Sequence, residues 1–296
     1  MTQISTSNKF VSALLHLFFI LFTLICFLPL VLVLSASFTE ETVLLTSGYG
    51  LFPKVFSLES YKYLMKSADE VFRAYGLSIF TTIAGTVGGV LVIALFAYPI
   101  SRQDFKYRRF FSLFVFFTMI FNGGIVPWYY MYSRVLGLKD TIWIYIIPHL
   151  MSAWYVMIMR TFFQTSVPVS LLESAKLDGA SEMRIFFQIV MPLSKPGLAS
   201  IALFLTVDMW NDYWIPLVFI TKTKLYNIQY YMYTVLQNAQ YLMKNSDKLG
   251  GLATSTIPLE GVRMALAIIG IGPIVLAYPF FQKYFVKGLT SGAIKE

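Results

Sequence analysis

Cysteine, histidine and charged residues are all scarce in this sequence of 296 residues. A single cysteine, Cys26, excludes a disulfide within the chain, and the two histidines stand alone in apolar runs, so no zinc or redox centre is predicted. Only 13% of the residues are charged, about half the usual share in soluble domains, whereas 57% are hydrophobic. This composition predicts a membrane protein.

Sequence motifs for nucleotide binding and for catalysis are also missing. The sequence has no Gly-x-x-x-x-Gly-Lys-Ser/Thr phosphate-binding loop and no arrangement of nucleophile, base and acid. We therefore predict that the chain is not an enzyme and binds no cofactor or metal, and that any uphill transport draws its energy from a partner or an ion gradient. The net charge of +8 comes from basic residues scattered between apolar runs, which indicates topology signals and not a nucleic-acid surface.

Six apolar segments are each long enough to cross a bilayer, which takes about 20 residues. The first is too long for the apolar region of a signal peptide, so we interpret it as a retained helix. Asn122-Gly123-Gly124 interrupts the third segment and Pro148 the fourth. The sequence thus predicts an all-α membrane protein with one domain, 1–296, and six transmembrane helices at about 11–35, 77–100, 110–131, 141–163, 197–221 and 262–286.

The short segment 101–109 decides the predicted orientation. It carries Arg102, Lys106, Arg108 and Arg109 against one acid, Asp104. Basic residues concentrate in short cytoplasmic loops, so this segment is predicted to be cytoplasmic. Six spans then place both termini and a connecting loop, 166–193, in the cytoplasm, and a long loop, 222–261, outside.

The cytoplasmic loop is longer and more polar than a connector requires. Asp178-Gly179 is a strong turn signal, and Ser181 is a suitable N-cap, so we predict two short helices separated by a turn. Ile185, Phe186 and Ile189 recur at helical spacing and are expected to pack beneath the membrane domain. The loop either docks a cytoplasmic partner or lies as an amphipathic helix on the bilayer; its mixture of acids and bases favours docking.

This loop resembles the EAA motif of ABC importer permeases. The motif stands here as Glu173-Ser174-Ala175, Gly179 and Ile189-Val190-Met191-Pro192, with Ser174 and Met191 as mild departures. Further stretches resemble the carbohydrate-importer branch, including the MalG-like and LplC/YtcP-type oligosaccharide permeases. These stretches are Ala97-Tyr98-Pro99-Ile100-Ser101-Arg102, Gly123-Gly124-Ile125-Val126-Pro127, Trp210-Asn211 with Pro216, and Gln282-Lys283-Tyr284-Phe285-Val286-Lys287-Gly288.

The resemblance implies a type I ABC importer permease fold (MetI-like) in a bacterial cytoplasmic membrane. It implies an oligosaccharide substrate and three kinds of partner: a second, different permease subunit, two copies of a cytoplasmic ABC ATPase that bind ATP and Mg²⁺, and an external solute-binding protein. The residues it assigns to coupling with the ATPase are Glu173, Ser174, Ala175, Asp178, Gly179, Ala180 and Pro192.

Two carboxylates lie in the otherwise apolar fifth segment. Asp208 and Asp212 are four residues apart, which predicts one shared helix face. With Trp210, Asn211 and Trp214 they either line a sugar pathway or serve as polar contacts between helices, with Asp212 at the outer interface.

The outer loop is rich in tyrosines and amides, a composition typical of sugar-contacting surfaces. The resemblance implies that this loop reaches into the binding protein; the alternative is a folded cap whose tyrosines are interfacial or buried. Lysines in the loop, Lys222, Lys224, Lys244 and Lys248, suggest an acidic sugar. The residues expected to contact sugar or binding protein are Tyr226, Tyr230, Tyr231, Tyr233 and Gln237.

Two other classes of function remain open at this level. An ion-coupled secondary carrier would use Asp208 and Asp212 as its ion site, and the breaks near Gly123-Gly124 would suit it. A membrane assembly or regulatory protein would transport nothing.

Overall fold

A computed structural model describes residues 6–245 and 258–292 of the chain. Within these ranges the secondary structure is helical, apart from turns, extended connections and one isolated β-bridge between Thr39 and Phe56. The predicted all-α class is therefore confirmed.

Most helices of the described ranges follow one another with connections of a few residues, and a longer one, 48–58, joins α2 to α3. Two segments have π-helical geometry, Met131–Val135 and Phe186–Val190, and two are 3₁₀ turns, Ile147–His149 and Thr223–Leu225. The α-helices are α1 (Thr6–Ser37), α2 (Glu41–Ser47), α3 (Glu59–Met65), α4 (Ala68–Ser101), α5 (Arg108–Ile120), α6 (Ile125–Tyr130), α7 (Trp143–Ile146), α8 (Ala153–Ser166), α9 (Val169–Leu177), α10 (Glu182–Ile185), α11 (Met191–Leu193), α12 (Lys195–Trp210), α13 (Trp214–Phe219), α14 (Ile228–Lys244) and α15 (Leu259–Gly292).

Two compact units divide the chain, and the first comprises Met1–Val71 and Thr234–Gly272. In this unit the carboxylate of Glu41 accepts hydrogen bonds from the backbone N–H groups of Glu260 and Gly261, each at 2.9 Å. Free N–H groups at a helix start favour an anionic acceptor, so Glu41 fixes the beginning of α15. The apolar side chains of α1 are largely exposed, as lipid contact or subunit contact requires; Phe18 and Ile25 are 59% and 68% exposed.

The second unit comprises Phe72–Tyr233 and Pro273–Glu296 and contains two hydrophobic cores. The larger core joins α4, α5, α8 and α12 to the helices of the 166–193 loop. Glycine allows close packing at two places in it: a Cβ on Gly89 would lie 3.0 Å from Leu205, and one on Gly197 would lie 2.6 Å from the ring of Phe162. The smaller core joins α7 and α13 through Ile144, Tyr145, Ile215, Phe219 and Ile220.

Several predicted spans are bent or divided. In the described part of the chain, α1 and α4 are long and apolar enough to cross a membrane alone. Three bent pairs would each add one span: 108–120 with 125–135 (111°), 143–149 with 153–166 (47°), and 182–193 with 195–210 (81°). The breaks expected from Asn122-Gly123-Gly124 and Pro148 are present, and α15 covers the predicted sixth span. The total of six spans stays a prediction.

Candidate functional site

The loop at 166–193 forms two helices separated by a turn, as the sequence predicts. Gly179 has φ = +78°, a conformation that glycine adopts without steric cost. The N–H of Gly179 bonds to the carbonyl of Lys176, and the N–H of Ala180 to that of Ala175, each at 3.0 Å. This pair of bonds is a Schellman motif, and it ends α9. Beyond the turn, Oγ of Ser181 accepts a hydrogen bond from the N–H of Arg184, the predicted N-cap.

The turn presents a small, mostly polar surface. Leu177, the last residue of α9, is 89% exposed, more than any other large hydrophobic residue of the described chain. Its side chain is therefore accessible to another molecule. The exposed residues around it are Glu173, Ser174, Asp178, Gly179 and Ser181, and Pro192 is exposed farther along the loop.

The expected part of Ala175 in coupling stays a prediction. Its side chain is only 8% exposed and belongs to the larger core. The reason is geometric: on α9 it lies three residues after Leu172, which is also buried, and the two share the inner face of the helix. Ala180 is half-buried against the same core.

The buried side of the loop holds it firmly against the membrane helices. Ile185 and Phe186 are 0% and 1% exposed and pack with residues of α4 and α8, whereas their place beneath the membrane domain stays a prediction. Ile189 is half-buried against the same cluster. Burial of such side chains contributes about 1.5–3 kcal/mol each. The tip of the loop is therefore presented on a fixed base.

An ionic cluster joins this loop to the segment that follows α4. Arg102 makes a bidentate contact with Asp104, Nε to Oδ1 at 2.9 Å and Nη2 to Oδ2 at 2.7 Å. Lys176 lies 2.6 Å from Oδ2 of Asp104 and 2.8 Å from Oε1 of Glu182. The hydroxyl of Tyr98 donates to Oε2 of Glu182 at 2.7 Å. Five side chains from three parts of the sequence thus form one network.

The charges of the cluster reinforce one another. Hydrogen bonds from Arg102 and then Lys176 hold the pKa of the Asp104 carboxyl well below its ordinary value. Partial burial alone would raise the pKa of Glu182, but hydrogen bonds from Lys176 and Tyr98 outweigh it, and the pKa is lowered. Hydrogen bonds to Asp104 and Glu182 raise the pKa of Lys176. Four of the five side chains are thus ionised at neutral pH, namely those of Arg102, Asp104, Lys176 and Glu182.

The predicted common helix face of Asp208 and Asp212 is wrong. Helix α12 ends at Trp210, and Asp212 lies in the turn before α13. There its Oδ1 accepts hydrogen bonds from the N–H groups of Trp214 and Ile215, at 2.9 and 3.0 Å, which caps α13. Its Oδ2 lies 3.9 Å from Nε2 of His149, and its side chain is only 11% exposed. A capping carboxylate at a break in the helix competes successfully with continued helical geometry.

Asp208 is exposed and faces a different neighbour. Its Oδ2 accepts a hydrogen bond of 2.5 Å from the hydroxyl of Tyr155, on α8. The ring of Tyr155 stacks on that of Phe204, with centroids 6.1 Å apart. Asn211 and Trp214 are also exposed, whereas Trp210 is 3% exposed, 6.2 Å from the ring of Tyr75. Of the five predicted pathway residues, Asp208, Asn211 and Trp214 are thus exposed and Asp212 lies in a turn. Trp210 is buried.

The predicted outer loop begins with a row of tyrosine rings. Tyr226 meets Tyr230 edge to face at 4.6 Å, Tyr230 stacks on Tyr233 at 6.2 Å, and Tyr233 stacks on Tyr213 at 5.6 Å. Tyr230 and Tyr231 are 9% and 8% exposed. These two fit the alternative of a folded cap with buried tyrosines, whereas Tyr226 and Tyr233 are half-exposed and Gln237 is exposed. Lys248 and the rest of 246–257 lie outside the described residues.

Three features of the site were not predicted. Tyr155 gives no local signal, because its partner Asp208 is 53 residues away. Leu177 could have been found: in the stretch from Glu173 to Arg184 it is one of few large apolar residues, and it directly precedes the turn. The sequence shows the charged residues of the Arg102 cluster but does not indicate that they contact one another.

Comparison with known proteins extends over nearly the whole chain. The family model described as "Binding-protein-dependent transport system inner membrane component" matches residues 4–291. The Bacillus subtilis polygalacturonan/rhamnogalacturonan transport system permease protein YtcP is 34% identical over 288 residues, covering 97% of this chain and 99% of YtcP. Protein LplC of the same organism is 35% identical over 271 residues, covering 92% and 90% of the two chains.

A solved structure has the same fold. It is a chain from the crystal structure of a bacterial ABC transporter involved in the import of the acidic polysaccharide alginate. The TM-score is 0.79 at 28% sequence identity, with 96% of this chain and 100% of that chain covered. The expected MetI-like permease fold is supported at the level of the chain as a whole.

Proposed function

The chain belongs to the family of binding-protein-dependent transport system inner membrane components, and we propose that it is a permease subunit of an ABC importer for an acidic oligosaccharide. It would lie in a bacterial cytoplasmic membrane and pair with a second, different permease. An external solute-binding protein would deliver the sugar, and two copies of a cytoplasmic ATPase, which bind ATP and Mg²⁺, would supply the energy. The chain itself performs no chemistry.

One observation carries this proposal: the loop tip at Leu177. An 89% exposed leucine stands at the end of a helix whose base is buried and held by an ionic cluster. Such a projection fits the hydrophobic groove of a partner, which would cover Leu177 together with Glu173 and Asp178. In the orientation set by the basic loop 101–109, this tip faces the cytoplasm, where an ATPase is accessible.

The fixed base explains how ATP hydrolysis would drive transport. Movement of the ATPase would displace the tip, and the buried contacts of Ile185 and Phe186 with α4 and α8 would carry that displacement into the membrane helices. Packed elements move as bodies because cores resist continuous deformation. The bend of 81° between 182–193 and 195–210 turns the displacement toward α12.

The acidic character of the proposed substrate has two supports. The structural neighbour belongs to an importer of an acidic polysaccharide, and YtcP is named for polygalacturonan and rhamnogalacturonan. In this chain Lys222 and Lys224 are exposed beside the tyrosine row. Cations next to aromatic rings would bind carboxylates while the rings pack on sugar faces.

For the pathway within the membrane we propose the exposed surface around Asp208. Tyr155, Phe204 and Asp208 form a continuous aromatic and acidic patch, and Asn211 and Trp214 continue it at the helix break. Sugar hydroxyls would donate to the carboxylate and amide oxygens. Asp212 would act on this surface indirectly, by fixing the turn that carries Asn211 and Trp214.

The test of the proposed function is ATP hydrolysis in the reconstituted complex. Leu177→Ser removes the exposed apolar contact and, because the residue has almost no contacts of its own, should leave the thermal stability of the chain unchanged. We expect sugar-stimulated ATP hydrolysis to fall at least tenfold, as loss of a central interface residue costs more than about 1.4 kcal/mol.

Leu136→Ser is the matched control. Leu136 is also an exposed leucine, 50% exposed, in a connection that the proposed orientation places on the outer side. Stimulation should be normal in this variant. Equal loss in both variants, or full stimulation in Leu177→Ser, would contradict the proposed docking.

A further inference from the structure

A cavity with an unusual concentration of arginine lies between α5 and α8. Its volume is about 610 Å³, and its lining includes three arginines and no carboxylate. Arg108 and Arg109 begin α5, and Arg160 lies on α8. Leu113, Phe116 and Met157 form its apolar wall, and Ser112 and Gln164 complete the lining.

The three arginines have no acidic partner among the described residues. By contrast, Arg102 in the same unit forms an ion pair with Asp104. Arg160 uses only its Nε, which donates to the carbonyl of Ile100 at 3.2 Å. Its terminal nitrogens and the guanidinium groups of Arg108 and Arg109 therefore have donors to offer an anion.

Two more features point to an anion at the same place. The cavity adjoins the first turn of α5, the positive end of a helix of 13 residues. The hydroxyl of Ser112 is buried and has no hydrogen-bond partner in the described chain. A buried hydroxyl without a partner is costly, and a bound acceptor in the cavity would remove that cost.

A second cavity, of about 490 Å³, adjoins the first and is largely apolar. The two share Phe116 and Met157. The remaining lining residues of the second cavity are Met119, Trp154, Ile158, Thr161, Phe162 and Thr165. If an anionic head group bound at the arginines, its hydrocarbon tail would therefore contact the apolar lining of the second cavity directly beside it.

We propose that this groove binds an anionic phospholipid, with the phosphate at Arg108, Arg109, Arg160 and Ser112 and an acyl chain along Phe116, Met157 and Trp154. Basic pockets between membrane helices select anionic head groups by charge, and the apolar wall selects a lipid over a soluble anion. An acidic segment of a partner subunit would satisfy the arginines but would gain less from the adjoining apolar cavity. The bound lipid would fix α5 against α8.

The experiment uses the purified full-length chain in complex with its partner subunits. Brominated phosphatidylglycerol and brominated phosphatidylcholine are titrated separately, and the quenching of Trp154 is obtained as the difference from a Trp154→Phe variant. We expect phosphatidylglycerol to quench Trp154 at a concentration at least tenfold lower than phosphatidylcholine. Inorganic phosphate should not displace the lipid, because phosphate gains nothing from the apolar wall.

Three variants locate the head group. Arg108→Gln with Arg109→Gln should raise the half-maximal concentration of phosphatidylglycerol about 30-fold, since each arginine near an anionic lipid contributes about fivefold. Ser112→Ala should raise it about fivefold without disturbing the fold, because it removes only an unpaired hydroxyl. Lys106→Gln, which removes one positive charge from the same short segment but outside the cavity, should change it less than twofold.

The proposal is overturned if both lipids quench alike, if the double arginine variant behaves like Lys106→Gln, or if phosphate displaces phosphatidylglycerol. Quenching that occurs in the isolated chain but disappears in the assembled complex would assign the groove to a partner subunit and would likewise overturn it.

Discussion

The ammonium group of Lys176 lies 2.6 Å from Oδ2 of Asp104, although 72 residues separate the two in sequence. Lys176 is on α9, one residue before the exposed Leu177, and Asp104 lies just after α4. The same lysine contacts Glu182 at 2.8 Å, on the far side of the turn. One cation therefore connects both helices of the loop to the end of a long membrane helix.

Lys176→Gln should impair coupling more than stability. The lysine and its two acids are 39%, 53% and 55% exposed, and ion pairs at such exposure contribute about 0–1 kcal/mol. The thermal midpoint of the chain should therefore change by only a few degrees. Sugar-stimulated ATP hydrolysis should fall by about 2- to 30-fold, the range for changes that alter coupling by about 0.5–2 kcal/mol. Lys106→Gln is the control, and an equal loss in both variants would exclude a specific role for the cluster.

The cluster should respond to pH only at the extremes. Asp104 and Glu182 have lowered pKa values, so their stabilisation is present above their unfolded pKa values, about 3.9 and 4.3, and is lost as the pH falls through the lower folded values. The raised pKa of Lys176 means that its contribution is complete below about pH 10.4 and is lost above that.

The difference in thermal midpoint between the wild type and Asp104→Asn should consequently be constant from about pH 5 to pH 9 and shrink below about pH 4. Differential scanning fluorimetry in detergent measures it. A difference that changes between pH 6 and pH 8 would contradict this description of the cluster.

Gly179→Ala should weaken the turn through the backbone alone. No atom lies within 4 Å of a Cβ placed on Gly179, so the cost comes from its positive φ, about 1–2 kcal/mol for an L-residue. Gly179→Asn should cost less, because asparagine tolerates this conformation. Proteolysis at the loop tip should increase in the order wild type, Asn, Ala. The reverse order of the two variants would indicate a side-chain contact instead of backbone strain.

Asp208→Asn separates the importer from an ion-coupled carrier. Asparagine keeps an oxygen that accepts the hydrogen bond from Tyr155 and loses only the charge. ATP-dependent uptake of the transported sugar in proteoliposomes should therefore persist, within about tenfold of the wild type. Abolished uptake together with transport that needs an ion gradient and no ATPase would favour the carrier. Asp212→Ala is a poor substitute for this test, because it removes the cap of α13.

Local signals predicted the helical parts of this structure well. The Asp178-Gly179 turn, the Ser181 cap and the burial of Ile185 and Phe186 each follow from residue types within a few positions of one another. The interruption at Asn122-Gly123-Gly124 was visible for the same reason, since glycine pairs and a turn-forming amide weaken a helix wherever they occur.

Tertiary contacts decided what local signals could not. The break between α12 and α13 depends on the carboxylate of Asp212, which caps α13. The same carboxylate lies near His149, a residue far earlier in the chain. Ala175 is buried because of where α9 packs, although its size alone suggested a contact surface for a partner. The Asp208–Tyr155 and Asp104–Lys176 contacts pair residues that are 53 and 72 positions apart, and no spacing in one sequence reveals them.

Docking of the loop tip on the ATPase is tested most directly by a site-specific cross-link between the two. Cys26 is the only cysteine of the chain, so Cys26→Ser provides a background without cysteine, into which Leu177→Cys or Leu136→Cys is introduced. We expect a short thiol-reactive photo-cross-linker to join position 177 to the ATPase in the assembled complex, and position 136 to give no such product. A complex that assembles and hydrolyses ATP, yet cross-links from position 136 and not from position 177, would contradict it.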